Sequence, residues 1–97
     1  MDSVRLLKTE LSVTNIDEVT ENLIFKNKIS VAVCNANTLV RCYKDKDLNN
    51  IINSFDVKCP DGFPVAKASK FLYQNNQMRV DGYKLFLQTI EKGLKNN

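Results

Sequence analysis

The sequence predicts an α/β fold, a small and mostly parallel sheet flanked by helices. Three observations carry that expectation. The segments read in the order strand, helix, strand, helix, helix, strand, helix, helix. The segment Ile29 to Cys34 is apolar without strict alternation, as a strand covered on both faces has to be. At 97 residues, 43% hydrophobic and 26% charged, the chain has the size and polarity of one small globular domain, expected to span 1–97.

Taken in order, Val4 to Leu7 is a short apolar run that reads as a first strand. Thr14 then offers a helix N-cap, with Asp17 near the first-turn amides. Ile16, Val19, Leu23 and Ile24 recur at helical spacing, which predicts a helix over 15–25 that Asn27-Lys28 breaks. After the Ile29 to Cys34 strand, Asn35-Ala36-Asn37-Thr38 reads as a polar loop. A helix starts at Leu39 and runs through Tyr43, and another begins near Asp45. In the latter, Leu48, Ile51, Ile52 and Phe55 make a core-facing stripe. Asp56 to Cys59 is a short strand that stops at Pro60. Asp61-Gly62 opens a further helix with Val65, Ala68, Ser69 and Leu72 on one face, and Asn75-Asn76 is a turn. Asp81 to Lys95 is a last helix whose apolar side holds Tyr83, Phe86, Leu87, Ile90 and Leu94. Lys92 and Lys95 in its final turns suit the negative end of the dipole. Three strands facing five helices leave the layer unfinished, so the chain looks truncated and a further strand is expected after residue 95.

Composition narrows the chemistry. Lys and Arg number 14 against 11 Asp and Glu, and the resulting +3 is too mild for a nucleic-acid-binding face. No apolar run approaches a membrane span and the N-terminus lacks a leader pattern, so a cytoplasmic protein is expected. The chain contains no His, which removes Ser-His-Asp and Cys-His catalysis and the usual catalytic zinc sites. Cys34, Cys42 and Cys59 form no CxxC pair and read as buried, inert thiols. Gly62, Gly82 and Gly93 are too scattered for a phosphate loop. Acid–base work is left to carboxylates, Lys, Tyr or Cys.

Open α/β sheets bind ligands beyond the carboxyl ends of their strands, here Asn35 to Thr38 and Cys59 to Gly62. Asp61 lies between a proline that holds Cys59 extended and a glycine that lets a ligand approach the backbone. A carboxylate at such a mouth can accept a proton from a substrate hydroxyl. The alternative is that Asp61 only caps the next helix. Asn35, Asn37 and Thr38 have the groups to bind sugar hydroxyls or carbonyls, or else to cap a helix. Asp45-Lys46-Asp47 matches a metal-holding DxD superficially, but both carboxylates open an amphipathic helix, where acids suit the dipole. No metal is expected there.

Four segments, in order and at consistent spacing, carry a resemblance: the strand ending at Asn35, Lys44-Asp45-Lys46-Asp47-Leu48, Asp56-Val57-Lys58-Cys59-Pro60-Asp61-Gly62, and Arg79-Val80-Asp81-Gly82. Together they resemble the first half of the WecG/TagA/CpsF glycosyltransferases over nearly the whole chain. The resemblance implies a Rossmann-like domain of which this chain is the acceptor-side, catalytic-base half. It implies inverting transfer of a sugar such as N-acetylmannosamine from a UDP-sugar to a polyprenyl-diphosphate-linked saccharide. The setting would be the cytoplasmic face of the bacterial membrane, in teichoic acid or related surface-polymer synthesis. No cofactor is implied beyond the UDP-sugar donor substrate. Asp61 falls on the family's general base and Asn35 in its substrate pocket, with Asn37, Thr38, Gly62 and Arg79 completing the candidate substrate-binding set. Val33 stands where the family often has Thr, and Lys84 where it has Asp. With the donor loops beyond its end, the isolated chain is expected to be inactive. The competing expectation is a non-catalytic α/β binding or assembly module, or an inactive truncated homologue, that associates, as a homo-oligomer for example, through apolar helix faces such as Phe86, Leu87 and Ile90.

Overall fold

The computed structural model describes residues 1–26 and 28–95. Its strands are β1 (Ser3–Leu6), β2 (Thr9–Ser12), β3 (Val31–Cys34) and β4 (Val57–Pro60). Its helices are α1 (Ile16–Phe25), α2 (Ala36–Lys44), α3 (Lys46–Asn53), α4 (Phe63–Tyr73) and α5 (Gly82–Lys95). The class is α/β as expected, but the sheet structure is mixed rather than mostly parallel. β3 and β4 pair in parallel from Val31↔Val57 to Cys34↔Pro60. β1 and β2 form a separate antiparallel hairpin from Ser3↔Ser12 to Leu6↔Thr9. No helix among the described residues is long and apolar enough to cross a membrane. The helix break expected at Asn27-Lys28 falls partly on Asn27, which lies outside the described residues.

The hairpin was not expected, and its turn explains why. Leu7-Lys8 carries none of the Gly, Asn or Asp that usually announce a tight hairpin. Leu7 takes φ 54°, an uncommon conformation for a residue with a Cβ. Burial of the flanking residues offsets that strain. Leu6 and Leu11 enter a core cluster with Ala32, Cys34, Leu39 and Val65. The hairpin also lies against β4, where the Lys58 backbone N–H donates to Ser12 Oγ at 3.0 Å. The Lys58 ammonium donates to Phe55 O at 3.0 Å, satisfying a carbonyl just past the end of α3.

On the other side, Val19 of α1, Val57, Cys59, Val80 and Leu85 make a second core cluster. The N-cap of α1 is Asn15 rather than Thr14: Asn15 Oδ1 accepts the Glu18 N–H at 2.9 Å. Thr14 is held by tertiary partners instead. Its backbone N–H donates to Gln77 Oε1 at 3.3 Å and its carbonyl accepts from Gln77 Nε2 at 2.9 Å.

The stripe assigned to the core side of α5 faces outward. Tyr83, Phe86 and Leu94 are 72%, 62% and 72% exposed. The side that docks is the one carrying Leu85 and Gln88, with Gln88 Nε2 donating to Asp17 Oδ1 at 2.7 Å and to Thr20 Oγ1 at 3.3 Å on α1. Ile51 of α3 and Leu72 of α4 are also exposed, whereas Ile52, Phe55 and Val65 pack inward. Periodicity identified each apolar stripe, but the neighbouring element decided which residues are covered.

Below β3 and β4, Ser30 and Asp56 clamp the strand starts. Asp56 Oδ2 accepts the Ser30 N–H at 2.8 Å and its hydroxyl at 3.1 Å, while the Asp56 N–H donates to Ser30 Oγ at 3.0 Å. The backbone N–H first, and then the hydroxyl, hold the Asp56 carboxyl below its ordinary value of 3.8. A carboxyl depressed by folding contributes stability that is present above its unfolded value and lost as pH falls toward the folded one. Melting temperature should therefore drop as pH goes below 3.8, and the drop should be shallower in Asp56→Asn. Thermal scans of both proteins across the acid range read this directly.

Candidate active site

The candidate site lies at the carboxyl ends of β3 and β4. The Asp61 N–H donates to Cys34 O at 2.8 Å, continuing the parallel ladder by one bond. The Val80 N–H donates to Pro60 O at 2.9 Å, so the segment before α5 runs beside the same strand end. Three stretches distant in sequence meet here: Asn35, Asp61-Gly62 and Arg79 to Gly82. They fit closely. A Cβ at Gly82 would lie 3.4 Å from Val33 Cγ1 and 3.8 Å from Asp61 Oδ2.

Gly62 decides what Asp61 does. It adopts φ 98° and ψ 148°, a region essentially reserved for glycine, and it is itself the N-cap of α4. A glycine cap has no side chain, and no side-chain hydrogen bond caps α4. The capping alternative for Asp61 is thereby overturned. Its carboxylate, 27% exposed, instead lies 3.8 Å from Arg79 Nε.

Asp81 shows the contrast. Its Oδ1 accepts the Tyr83 N–H at 2.9 Å and the Lys84 N–H at 3.2 Å, which caps α5, and Arg79 Nη2 lies 3.2 Å from its Oδ2. The Lys84 amide, with the Tyr83 amide and the Arg79 charge, holds the Asp81 carboxyl below the usual range against some desolvation. Of two aspartates beside one arginine, one is committed to a helix and the other is not.

Asn35 is the N-cap of α2. Its Oδ1 accepts the Thr38 N–H at 2.9 Å and the Thr38 hydroxyl at 3.1 Å. The polar stretch expected to be a loop is thus the first turn of a helix that begins at Ala36 instead of Leu39. Asn37 is exposed on that turn. With its oxygen engaged in the cap, Asn35 can offer a ligand its amide hydrogens. Asp45 likewise caps α3, its Oδ1 accepting the Leu48 N–H at 3.1 Å. Among the described residues, no three His, Cys, Asp or Glu side chains gather around a metal-sized space.

Cys34 and Cys59 lie on adjacent strands immediately below Asp61, and both are free and buried, as is Cys42. Burial first, and then the neighbouring Cys42, push the Cys34 thiol up to about 11 despite Lys58. Burial, then Cys34 and Asp61, push the Cys59 thiol up to about 12. Thiols this weakly acidic are poor nucleophiles at neutral pH. Ellman's reagent should leave all three cysteines unmodified in the native protein and modify all three in denaturant.

Beside Arg79, a groove of about 480 Å³ opens between α4 and the start of α5. Lys67, Lys70 and Lys84 line it together with Arg79 and Asp81. Asp61 does not line the groove but adjoins it through Arg79. Sequence reading overlooked Lys67 and Lys70, although their spacing of three residues places them on one helix face. Their approach to Lys84 had no local signal.

Residues 4–97 match the model of the glycosyl transferase WecG/TagA/CpsF family. No curated protein matches the chain.

Proposed function

The chain belongs to the WecG/TagA/CpsF family of glycosyltransferases, which act in cell-surface polymer synthesis, and from that premise we propose that Asp61 is the general base of an inverting sugar transfer. The donor in this reading is a UDP-sugar such as UDP-N-acetylmannosamine. The acceptor is a saccharide hydroxyl carried on polyprenyl diphosphate, so the protein works in peripheral contact with the cytoplasmic membrane face. This chain contributes the acceptor side and the base.

One observation carries the proposal. Asp61 stands partly exposed where two parallel strands end, and its carboxylate is not engaged in capping α4. In the reaction, the acceptor oxygen forms a bond to the anomeric carbon as the bond from that carbon to the UDP oxygen breaks. Asp61 takes the hydroxyl proton during attack, which keeps the nucleophile from becoming a cationic oxonium, and later returns it to solvent. Attack from the face opposite UDP inverts the anomeric configuration. Negative charge accumulates on the departing diphosphate and needs cations or amides to stabilise it. Arg79, anchored on Asp81 at 3.2 Å, holds a guanidinium beside the base.

The assembly reading retains one observation, the bare stripe of α5, but accounts for neither the partly exposed Asp61 nor its pairing with Arg79. The test is transfer from a UDP-sugar to a lipid-linked acceptor, with the product anomer assigned by NMR coupling. Inversion that depends on Asp61 supports the proposal, and retention overturns it.

A further inference from the structure

We propose that Asp81 is a positioning residue for the reaction: it holds one end of the Arg79 fork, keeps that fork from closing on Asp61, and so leaves Asp61 Oδ2 open to the acceptor hydroxyl. The inference rests on the reading of Asp61 as the general base. It adds a second carboxylate whose work is done through Arg79.

Nε and Nη2 lie along one edge of the planar guanidinium, the edge that can grip a single carboxylate through two parallel bonds. Here that edge is divided between two carboxylates. Nη2 lies 3.2 Å from Asp81 Oδ2, whereas Nε lies 3.8 Å from Asp61 Oδ1. The nearer partner is also the more firmly held. Asp81 Oδ1 accepts the Tyr83 and Lys84 amides at 2.9 and 3.2 Å, so the start of α5 fixes this carboxylate while its other oxygen meets Arg79. Between the two residues, the Val80 N–H donates to Pro60 O at 2.9 Å and ties the segment to the end of β4.

The division matters for Asp61. A carboxylate gripped by the whole fork has one oxygen on each of two nitrogens, and neither is well placed to receive a proton. At 3.8 Å from Nε, Oδ1 is steadied by charge but lies beyond hydrogen-bond reach. Oδ2 lies on the side of Gly82, where an added Cβ would stand 3.8 Å from it. Glycine at that position places no side chain over the oxygen. Oδ2 is therefore the atom to which the hydroxyl proton passes, and Asp81 preserves it by keeping Nη2 occupied.

The experiment follows exchange of the Arg79 Nε–H with water by NMR in the isotope-labelled 97-residue chain. Asp81→Asn keeps an oxygen to cap α5 but removes the charge that holds Nη2. The fork should then close on Asp61 and slow Nε–H exchange by about tenfold, as one added charge-assisted hydrogen bond would. Asp81→Asn/Asp61→Asn should return exchange to the wild-type rate. Unchanged exchange in Asp81→Asn overturns the proposal. So does slowing that persists in the double variant, because a change in the helix start alone would not depend on Asp61.

In an enzyme that also supplies the donor loops, Asp81→Asn should lower kcat by about tenfold with KM little changed, because acceptor binding does not require the free lone pair. An unaltered kcat beside slowed exchange overturns the positioning role. The base reading is judged separately, by transfer in Asp61→Asn. Exchange in the isolated chain reports only whether Asp81 holds the fork away, so the two ideas fail in different measurements.

Discussion

In an enzyme that also supplies the donor loops, Asp61→Asn should lower the rate of glycosyl transfer by about 10²–10⁴-fold, the usual contribution of a positioned general base. The replacement keeps the shape and removes the proton acceptor. Arg79 loses a partner at 3.8 Å but retains Asp81 at 3.2 Å, so the guanidinium should stay where it is. A partly exposed pair at that separation contributes no more than about 1 kcal/mol, so melting temperature should barely move. Substrate binding should be nearly intact, with the loss concentrated in kcat rather than KM, because the missing interaction develops only during attack. Wild-type turnover by this variant would remove Asp61 from the chemistry.

Leu11→Ala should produce the largest loss of stability. Leu11 is 0% exposed and ties the hairpin to the cluster formed by Ala32 and Cys34 of β3, Leu39 of α2 and Val65 of α4. Truncating a leucine in such a setting costs about 3–5 kcal/mol, from lost apolar burial together with the cavity left behind. A domain of this size has roughly 5–15 kcal/mol in total. The expected fall in melting temperature is roughly 10–25 °C. The effect should reach the site, because the same cluster holds Cys34, whose carbonyl accepts the Asp61 N–H at 2.8 Å. A loss below about 1 kcal/mol would mean that the hairpin is an appendage rather than part of the core.

Much of the candidate site was legible before any coordinates. Pro60-Asp61-Gly62 marked a strand end that turns, and its carboxylate stands where the pattern placed it. Whether that carboxylate capped a helix was not legible. The answer depended on Gly62 taking φ 98° and becoming the cap itself, and glycine permits either conformation. Asn35 shows the reverse case. The strand end is legible in the sequence, but the polar run after it reads as a loop, because capping residues and loop residues are the same few types.

The amino-acid order by itself determined the helices over 16–25, 63–73 and 82–95, and the strand over 31–34, but not its burial: the expected cover on both faces fails at Val33, which is exposed while Ala32 and Cys34 are buried. These depend on spacing between near neighbours, on capping side chains and on continuous apolar runs, all of which act within a few residues. Only the tertiary structure decided that Leu11 is core, that α5 docks through Leu85 and Gln88, and that Lys67, Lys70 and Lys84 line one groove with Arg79. Those outcomes depend on contacts such as Thr14 with Gln77, 63 residues apart, and Asp17 with Gln88, 71 apart. A local pattern can mark a face as able to be buried, but the face is covered only when a distant element packs against it.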